Sequence, residues 1–322
     1  MQTERETYDW QEFQDLFARI QANIEHVIQG KTDEVRLALA TLIAEGHLLI
    51  EDVPGVGKTM LAKAMARSID CSFRRIQFTP DLLPTDITGV NVFNQEQGDF
   101  EFKPGAIFAN IVLGDEINRA SPKTQSALLE SMEERQVTVD GVTYQLGVPF
   151  MVIATQNPIE HEGTYPLPEA QLDRFTMRLA IGYPGAEAET QILATHGRQS
   201  TLDDIGPVTD SSGVARLIMM SREVHVADAL QRYIVDLSEA TRRHPDVYLG
   251  VSPRASILLL RAARAVAGSE GRDYVIPDDI KLLALPVLTH RMIVSAEAAM
   301  NGRTADTVLA ELLNEVTVPV TG

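Results

Sequence analysis

Apolar residues at Phe13, Leu16, Phe17, Ile20, Ile24 and Val27 recur every three or four positions, and this spacing predicts an amphipathic helix over 13–28. The same period returns over 33–44. Beyond it the pattern changes. Short apolar runs at 47–50, 72–78, 110–113, 150–155 and 177–181 alternate with helical stretches. That order implies βαβ units and a mostly parallel sheet with helices on both faces. From Tyr183-Pro184-Gly185 onward the strand signals stop, and helices are expected over 186–197, 213–224, 227–243, 252–267, 277–291 and 304–316. The expectation is therefore an α/β core over 1–184 followed by a smaller all-α domain over 185–322. Two hairpins interrupt the core, at 88–104 and at 135–147, the second turning on Asp140-Gly141, a pair suited to a type I′ turn.

The chain has 322 residues, enough for two domains of ordinary globular composition. Its net charge of −17 argues against a nucleic-acid binder, because phosphate contacts need clustered Lys and Arg. Arg74-Arg75 and Arg242-Arg243 remain as local basic spots. The single cysteine, Cys71, cannot form an internal disulfide and is expected to be a buried small apolar residue. The amino terminus lacks a secretory pattern, and no apolar run reaches the roughly 18 residues of a membrane span. A cytoplasmic protein is expected, with any contact to membranes only indirect. His47, His161, His196, His225, His244 and His290 show no ligand spacing, so no structural metal is expected.

The stretch EDVPGVGKTM follows directly on the apolar run ending at Ile50. A strand, a Gly-rich turn and a helix starting at Lys58 or Thr59 bring backbone N–H groups and a helix amino terminus onto one anion. Pro54, Gly55, Val56, Gly57, Lys58, Thr59 and Met60 form this candidate phosphate loop. Side chains at Gly55 and Gly57 would block a phosphate; Lys58 would reach the outer phosphates and the Thr59 hydroxyl would hold Mg²⁺. The usual pattern has a further glycine six positions before the lysine, where this chain has Asp52. A second apolar run, Ile111 to Gly114, ends in Asp115 and Glu116. Either acid alone could merely cap the following helix. Paired with GVGKT, Asp115 becomes the metal-side acid and Glu116 the general base for a water attacking the γ-phosphate of ATP. A third run, 150–155, leads into Asn157, which is either a turn former before Pro158 or a side chain that senses the γ-phosphate.

Three stretches together, GVGKT, DEINRASPKTQSALLESMEERQVT at 115–138 and ATQNPIEHEGTYPLPEAQLDRF at 154–175, resemble the MoxR family of AAA+ ATPases. The resemblance implies a P-loop NTPase core with a parallel sheet and an all-α lid. It places Val27 and Ile28 near the adenine, Lys58 and Thr59 in Walker A, Asp115 and Glu116 in Walker B, and Asn157 at sensor 1. It makes Arg174 an arginine finger acting on a neighbouring subunit's nucleotide and Arg254 the sensor 2 arginine. A guanidinium can neutralise charge developing on a transferred phosphoryl group, although an ordinary surface ion pair would also account for either arginine.

The resemblance further implies a homo-oligomeric ring, a hexamer, that hydrolyses ATP with Mg²⁺ to remodel a client protein. A partner carrying a von Willebrand factor A domain is part of that expectation. A metal-chelatase-like motor subunit is the rival within the class, and the long matches at 115–138 and 154–175 favour the MoxR side. A nucleotide-gated scaffold that does not turn over is the rival outside it, against which Lys58 and Glu116 speak. A small-molecule kinase would leave Arg174 and a six-helix lid unexplained.

Overall fold

The computed structural model describes residues 8–159, 163–196 and 202–318; His161 lies outside them. Helix α1 (Trp10–Glu25) is capped by Asp9, whose carboxylate accepts from Gln11 and Glu12 N–H groups, and it buries Phe13, Phe17, Ile20 and Ile24. Helix α2 (Thr32–Ile43) follows and leads into β1 (Leu48–Glu51). The core continues with α3 (Lys58–Ser68), β2 (Phe73–Gln77), α4 (Pro84–Thr88), β3 (Gly89–Asn94), β4 (Asp99–Pro104), β5 (Ile111–Asp115), α5 (Pro122–Glu134), β6 (Gln136–Val139), β7 (Val142–Gln145), β8 (Met151–Gln156), α6 (Glu169–Leu172) and β9 (Met177–Leu179).

Five strands form one parallel sheet in the order β2-β5-β8-β1-β9. The three central strands are buried on both faces, so their sequences are continuous apolar runs without alternation. All strands point the same way, so residues following β1, β5 and β8 gather at one edge of the sheet and residues preceding β9 lie at the opposite edge. The functional geometry depends on that polarity.

The remaining two strand pairs of the core are the expected hairpins, β3–β4 and β6–β7. Asp140 (φ 50°) and Gly141 (φ 82°) both take positive φ, as a type I′ turn requires. The hairpins touch: Phe102 stacks on Tyr144 with ring centres 3.9 Å apart, and Asn91 Nδ2 donates to Asp140 Oδ2 at 2.8 Å. On the first hairpin, Phe93 and Phe100 pair edge to face and remain more than half exposed.

The rest of the chain comprises α7 (Ala186–His196), α8 (Ser211–Glu223), α9 (Asp228–Arg243), β10 (Val247–Leu249), α10 (Pro253–Ser269), α11 (Pro277–Leu288), β11 (Ile293–Val294), α12 (Ala296–Met300) and α13 (Ala305–Glu315). Among its described residues, the regular structure is helical apart from one short antiparallel pair, β10–β11. These strands of three and two residues are too brief to register as a periodic signal. One apolar cluster runs from Phe13, Ile20 and Leu39 beneath the sheet to Leu217, Leu259 and Leu283 of the helical part. A side chain at Gly268 would meet the Phe13 ring at 2.9 Å, so α10 and α1 pack without a gap. The chain leaves the sheet where the composition changes, near Tyr183, but apolar packing does not divide there. The second cluster covers the other sheet face and holds Phe78, Leu128, Leu129 and Val152. Cys71 is partly buried against the first cluster, and burial pushes its thiol up to about 12.

Candidate nucleotide site

A cavity of about 360 Å³ opens at the edge where β1, β5 and β8 end; Pro54, Gly55, Gly57, Lys58, Thr59, Met60, Asp115, Glu116, Thr155 and Asn157 line it. The loop between β1 and α3 takes Gly55 to φ 89° and Gly57 to φ 95°, and Gly57 forms the left-handed start from which α3 rises. Gly55 lacks a side chain for two reasons, and Gly57 for the first of them. An L-residue is strained at such φ, and a Cβ on Gly55 would project into space that no protein atom occupies within 4 Å. The pattern alone suggests only the second reason.

Asp52, the departure from the usual loop pattern, is buried and ties the loop down. Its Oδ1 accepts from Val53 N at 2.8 Å, its Oδ2 from Gly182 N at 2.5 Å, and its carbonyl oxygen from Lys58 Nζ at 2.5 Å. A carboxylate here replaces the freedom of a glycine with two fixed side-chain hydrogen bonds. Burial pulls the Lys58 ammonium down from its usual range, opposed by the negative charges of Asp52, Asp115 and Glu116.

Glu116 takes φ 59°, a strained conformation for a non-glycine residue, and such strain is held only where neighbours enforce it. Its N–H donates to Thr155 Oγ1 at 2.9 Å, and its carboxylate accepts from Gln77 Nε2 at 2.8 Å and pairs with Arg119 Nε at 3.3 Å. Asp115 accepts from Thr155 Oγ1 at 2.5 Å and from Arg75 Nη2 at 2.6 Å. Gln77, Arg75 and Thr155 are therefore parts of the site that sequence reading left unassigned. Arg75 belongs to a pair read only as a basic spot. Their signal was positional: Gln77 faces Asp115 in register on β2, and Thr155 is the next-to-last residue of β8. Asn157 lines the cavity, and its Oδ1 accepts from Ile159 N at 3.1 Å in a turn.

A hydroxyl at Thr59 and a carboxylate at Asp115, both on the cavity wall, are hard oxygen donors of the kind Mg²⁺ takes when it is otherwise held by phosphates and water. No group of three or more His, Cys, Asp or Glu side chains that could cage a metal occurs among the described residues.

Four of the expected ligands do not line this cavity. Val27 and Ile28 are buried in the first apolar cluster and do not line the cavity; the Ile28 Cδ1 lies 3.8 Å from where a Cβ on Gly57 would be, so it supports the loop from below. Val56 also packs against that cluster. A shallow cleft beside the same segment is lined by Ala22, Glu25, His26, Gln29, Gly30 and Gln191. Arg254 does not reach the cavity of its own chain either. It sits in the first turn of α10 and pairs with Glu133, and Arg174 pairs with the same carboxylate. Arg174 precedes β9, whose first residue Met177 lies level with Leu48 at the start of β1, whereas the phosphate loop follows the end of β1. Both arginines thus occupy the opposite edge of the sheet from their own phosphate loop.

Residues 47–177 match the family described as "ATPase family associated with various cellular activities (AAA)", and residues 239–312 match the AAA lid domain. The protein YeaC of Bacillus subtilis is 52% identical over 95% of this chain and 95% of its own. Chaperone MoxR1 of Mycobacterium tuberculosis is 41% identical over 92% of this chain and 80% of its own. A solved structure from Cytophaga hutchinsonii, 37% identical, superposes with a TM-score of 0.91 over 97% of both chains.

Proposed function

This chain belongs to the MoxR family of AAA+ ATPases, and we propose that it is a Mg²⁺-dependent ATP hydrolase that works in the cytoplasm as a homo-oligomeric ring, a hexamer, remodelling a client protein. The observation that carries this reading is the division of the catalytic groups between the two edges of one sheet. One edge offers a phosphate loop, two acids and Asn157 around a single cavity; the other offers two arginines that the same chain's cavity cannot use. A neighbour's arginines are what completes each cavity.

In this scheme Gly55, Gly57 and Lys58 hold the phosphates of ATP, and Thr59 with Asp115 would hold Mg²⁺. Bound there, the ion would supply positive charge that offsets the negative charge of the phosphates. Glu116 orients and deprotonates the attacking water, taking its proton on the carboxylate that Gln77 and Arg119 now hold. Asn157 contacts the γ-phosphate from the β8 side. Arg174 and Arg254 of the adjacent subunit offset the charge that develops as the γ-phosphoryl group leaves.

The joined hairpins supply a surface for a client, since Phe93 and Phe100 are exposed at one tip. We include in the proposal a partner carrying a von Willebrand factor A domain. The domains suggested by the chain are the core over 1–184 and the lid over 185–322.

Hydrolysis measured against protein concentration tests the reading. Turnover per subunit should rise steeply as rings assemble. Turnover that is constant from nanomolar to micromolar protein, or none with Mg²⁺ at any concentration, ends it.

A further inference from the structure

Arg174 and Arg254 come from segments 80 positions apart and share anchors at both ends. At their tips, Glu133 takes Arg174 Nε on one oxygen at 3.1 Å and Arg254 Nη1 on the other at 2.7 Å. At their roots, Asp173 accepts from Arg291 Nε at 2.7 Å and from Ser252 Oγ at 3.2 Å. Asp173 is the residue before Arg174, and Ser252 caps the helix that carries Arg254. Arg291 is buried and also donates to the carbonyl oxygens of Asp173 and Thr176, at 3.0 and 3.3 Å. One lid residue therefore fixes the backbone on both sides of the finger.

The tip contacts leave reactive edges open. Glu133 lies 3.1 Å from Arg174 Nε, and among the described residues no hydrogen bond takes the two Nη groups of Arg174. Arg254 likewise gives one Nη and keeps Nε and the other Nη. Two guanidinium groups this close repel each other, and a carboxylate shared between them offsets one of the two charges. The pair keeps a net positive charge. Stability does not explain the arrangement, because all three side chains are between 27% and 38% exposed and ion pairs that wet add little to folding.

We propose that Glu133 is a positioning residue, which holds Arg174 and Arg254 as one cationic pair for the nucleotide phosphates of the neighbouring subunit. The inference rests on the ring reading above and adds to it the element that couples lid to finger. The lid then does more than follow nucleotide state: a movement of α10 alters the finger through one carboxylate on α5.

Glu133→Ala and the isosteric Glu133→Gln test it. Both should keep the ATP dissociation constant within about twofold and the thermal midpoint nearly unchanged, while kcat falls about ten- to a hundredfold, the scale of a misplaced catalytic group. Mixing either variant with Glu116→Gln protein should restore activity, because the intact cavity of one subunit then meets the intact arginine pair of the other. Arg174→Ala mixed with Glu116→Gln is the control. If that control regains activity but the Glu133 variants do not, or if their kcat stays at or above the unmodified value, the positioning role is wrong. If the control itself regains nothing, the reading of trans-acting arginines fails and takes this inference with it.

Discussion

The two edges of the sheet are built by different means. The cavity edge is assembled from strand ends and the turns that follow them, each a short contiguous stretch. Lys58 and Thr59 follow β1, Asp115 and Glu116 end or follow β5, and Asn157 follows β8. The arginine edge is assembled from residues that no local pattern connects: Glu133 near the end of α5, Asp173 and Arg174 in a loop, Ser252 and Arg254 at the head of α10, and Arg291 beyond α11. The first edge is a consequence of parallel strand topology and would form in any subunit with this sheet. The second exists only when the lid is docked, so it can report whether the lid has moved.

Losing one group from each edge should separate these roles, and the largest effect is expected at the arginines. Arg174→Ala should lower kcat by about 10³ with little change in ATP affinity, the scale of an arginine supplied by a neighbour. It is read by steady-state hydrolysis and nucleotide titration, and a matching loss of affinity would place Arg174 in its own subunit's cavity. At the cavity edge, Glu116→Gln should cost about 10²- to 10³-fold in turnover while retaining bound ATP, as the loss of a general base does. Undiminished turnover would mean another base acts. Lys58→Ala should instead abolish measurable ATP binding by calorimetry while leaving the folded state intact.

A smaller effect, on stability rather than rate, should come from Arg291→Leu. Removing one partner of a buried ion pair leaves the Asp173 carboxylate without its counter-charge, held only by Ser252, and leaves several carbonyl groups unpaired, which typically costs about 3–5 kcal/mol. Urea unfolding of the apo protein reads it, and a loss below about 1 kcal/mol would mean that the corner is held by apolar packing instead.

The smallest effect is pH-dependent. His47 is buried, its Nδ1 accepting from Val152 N and its Nε2 facing the Met132 carbonyl; burial lowers its pKa to about 3. The unfolded chain binds a proton on this histidine near pH 6.5 and the folded chain does not. Folding is therefore unweakened above pH 6.5 and loses about 1.4 kcal/mol for each pH unit below it, down to about pH 3. His290, at the arginine edge, is lowered in the same direction by burial first and by Arg291 next. Unfolding free energies at pH 7.5, 6.5 and 5.5 should be flat over the first step and fall over the second.

The elements that surround the cavity were legible in the sequence because their signals are local. Apolar runs of four to six residues became β1, β5 and β8, and a type I′ turn residue pair became the β6–β7 turn. Asp52 was visible as a departure from pattern, but its bond to Gly182, 130 positions away, was not. Gln77 and Thr155 were hidden for a similar reason, since each gains its role by facing an acid on the adjacent strand, and strand order does not follow from strand sequence. Val27 and Ile28 are buried beneath the phosphate loop, a place that composition does not fix, because an apolar pair beside a nucleotide and an apolar pair in a core look alike in sequence.

By itself the sequence determined the parallel sheet, the loop that can accept phosphates and the acids beside it, because hydrophobic period, glycine conformation and strand-end polarity act within a few residues. Only the tertiary structure decided that Arg174 and Arg254 face away from that loop and meet on Glu133. Their place is set by docking α10 and the segment around Arg291 onto the core, a contact between residues more than a hundred positions apart in sequence for which no local preference exists.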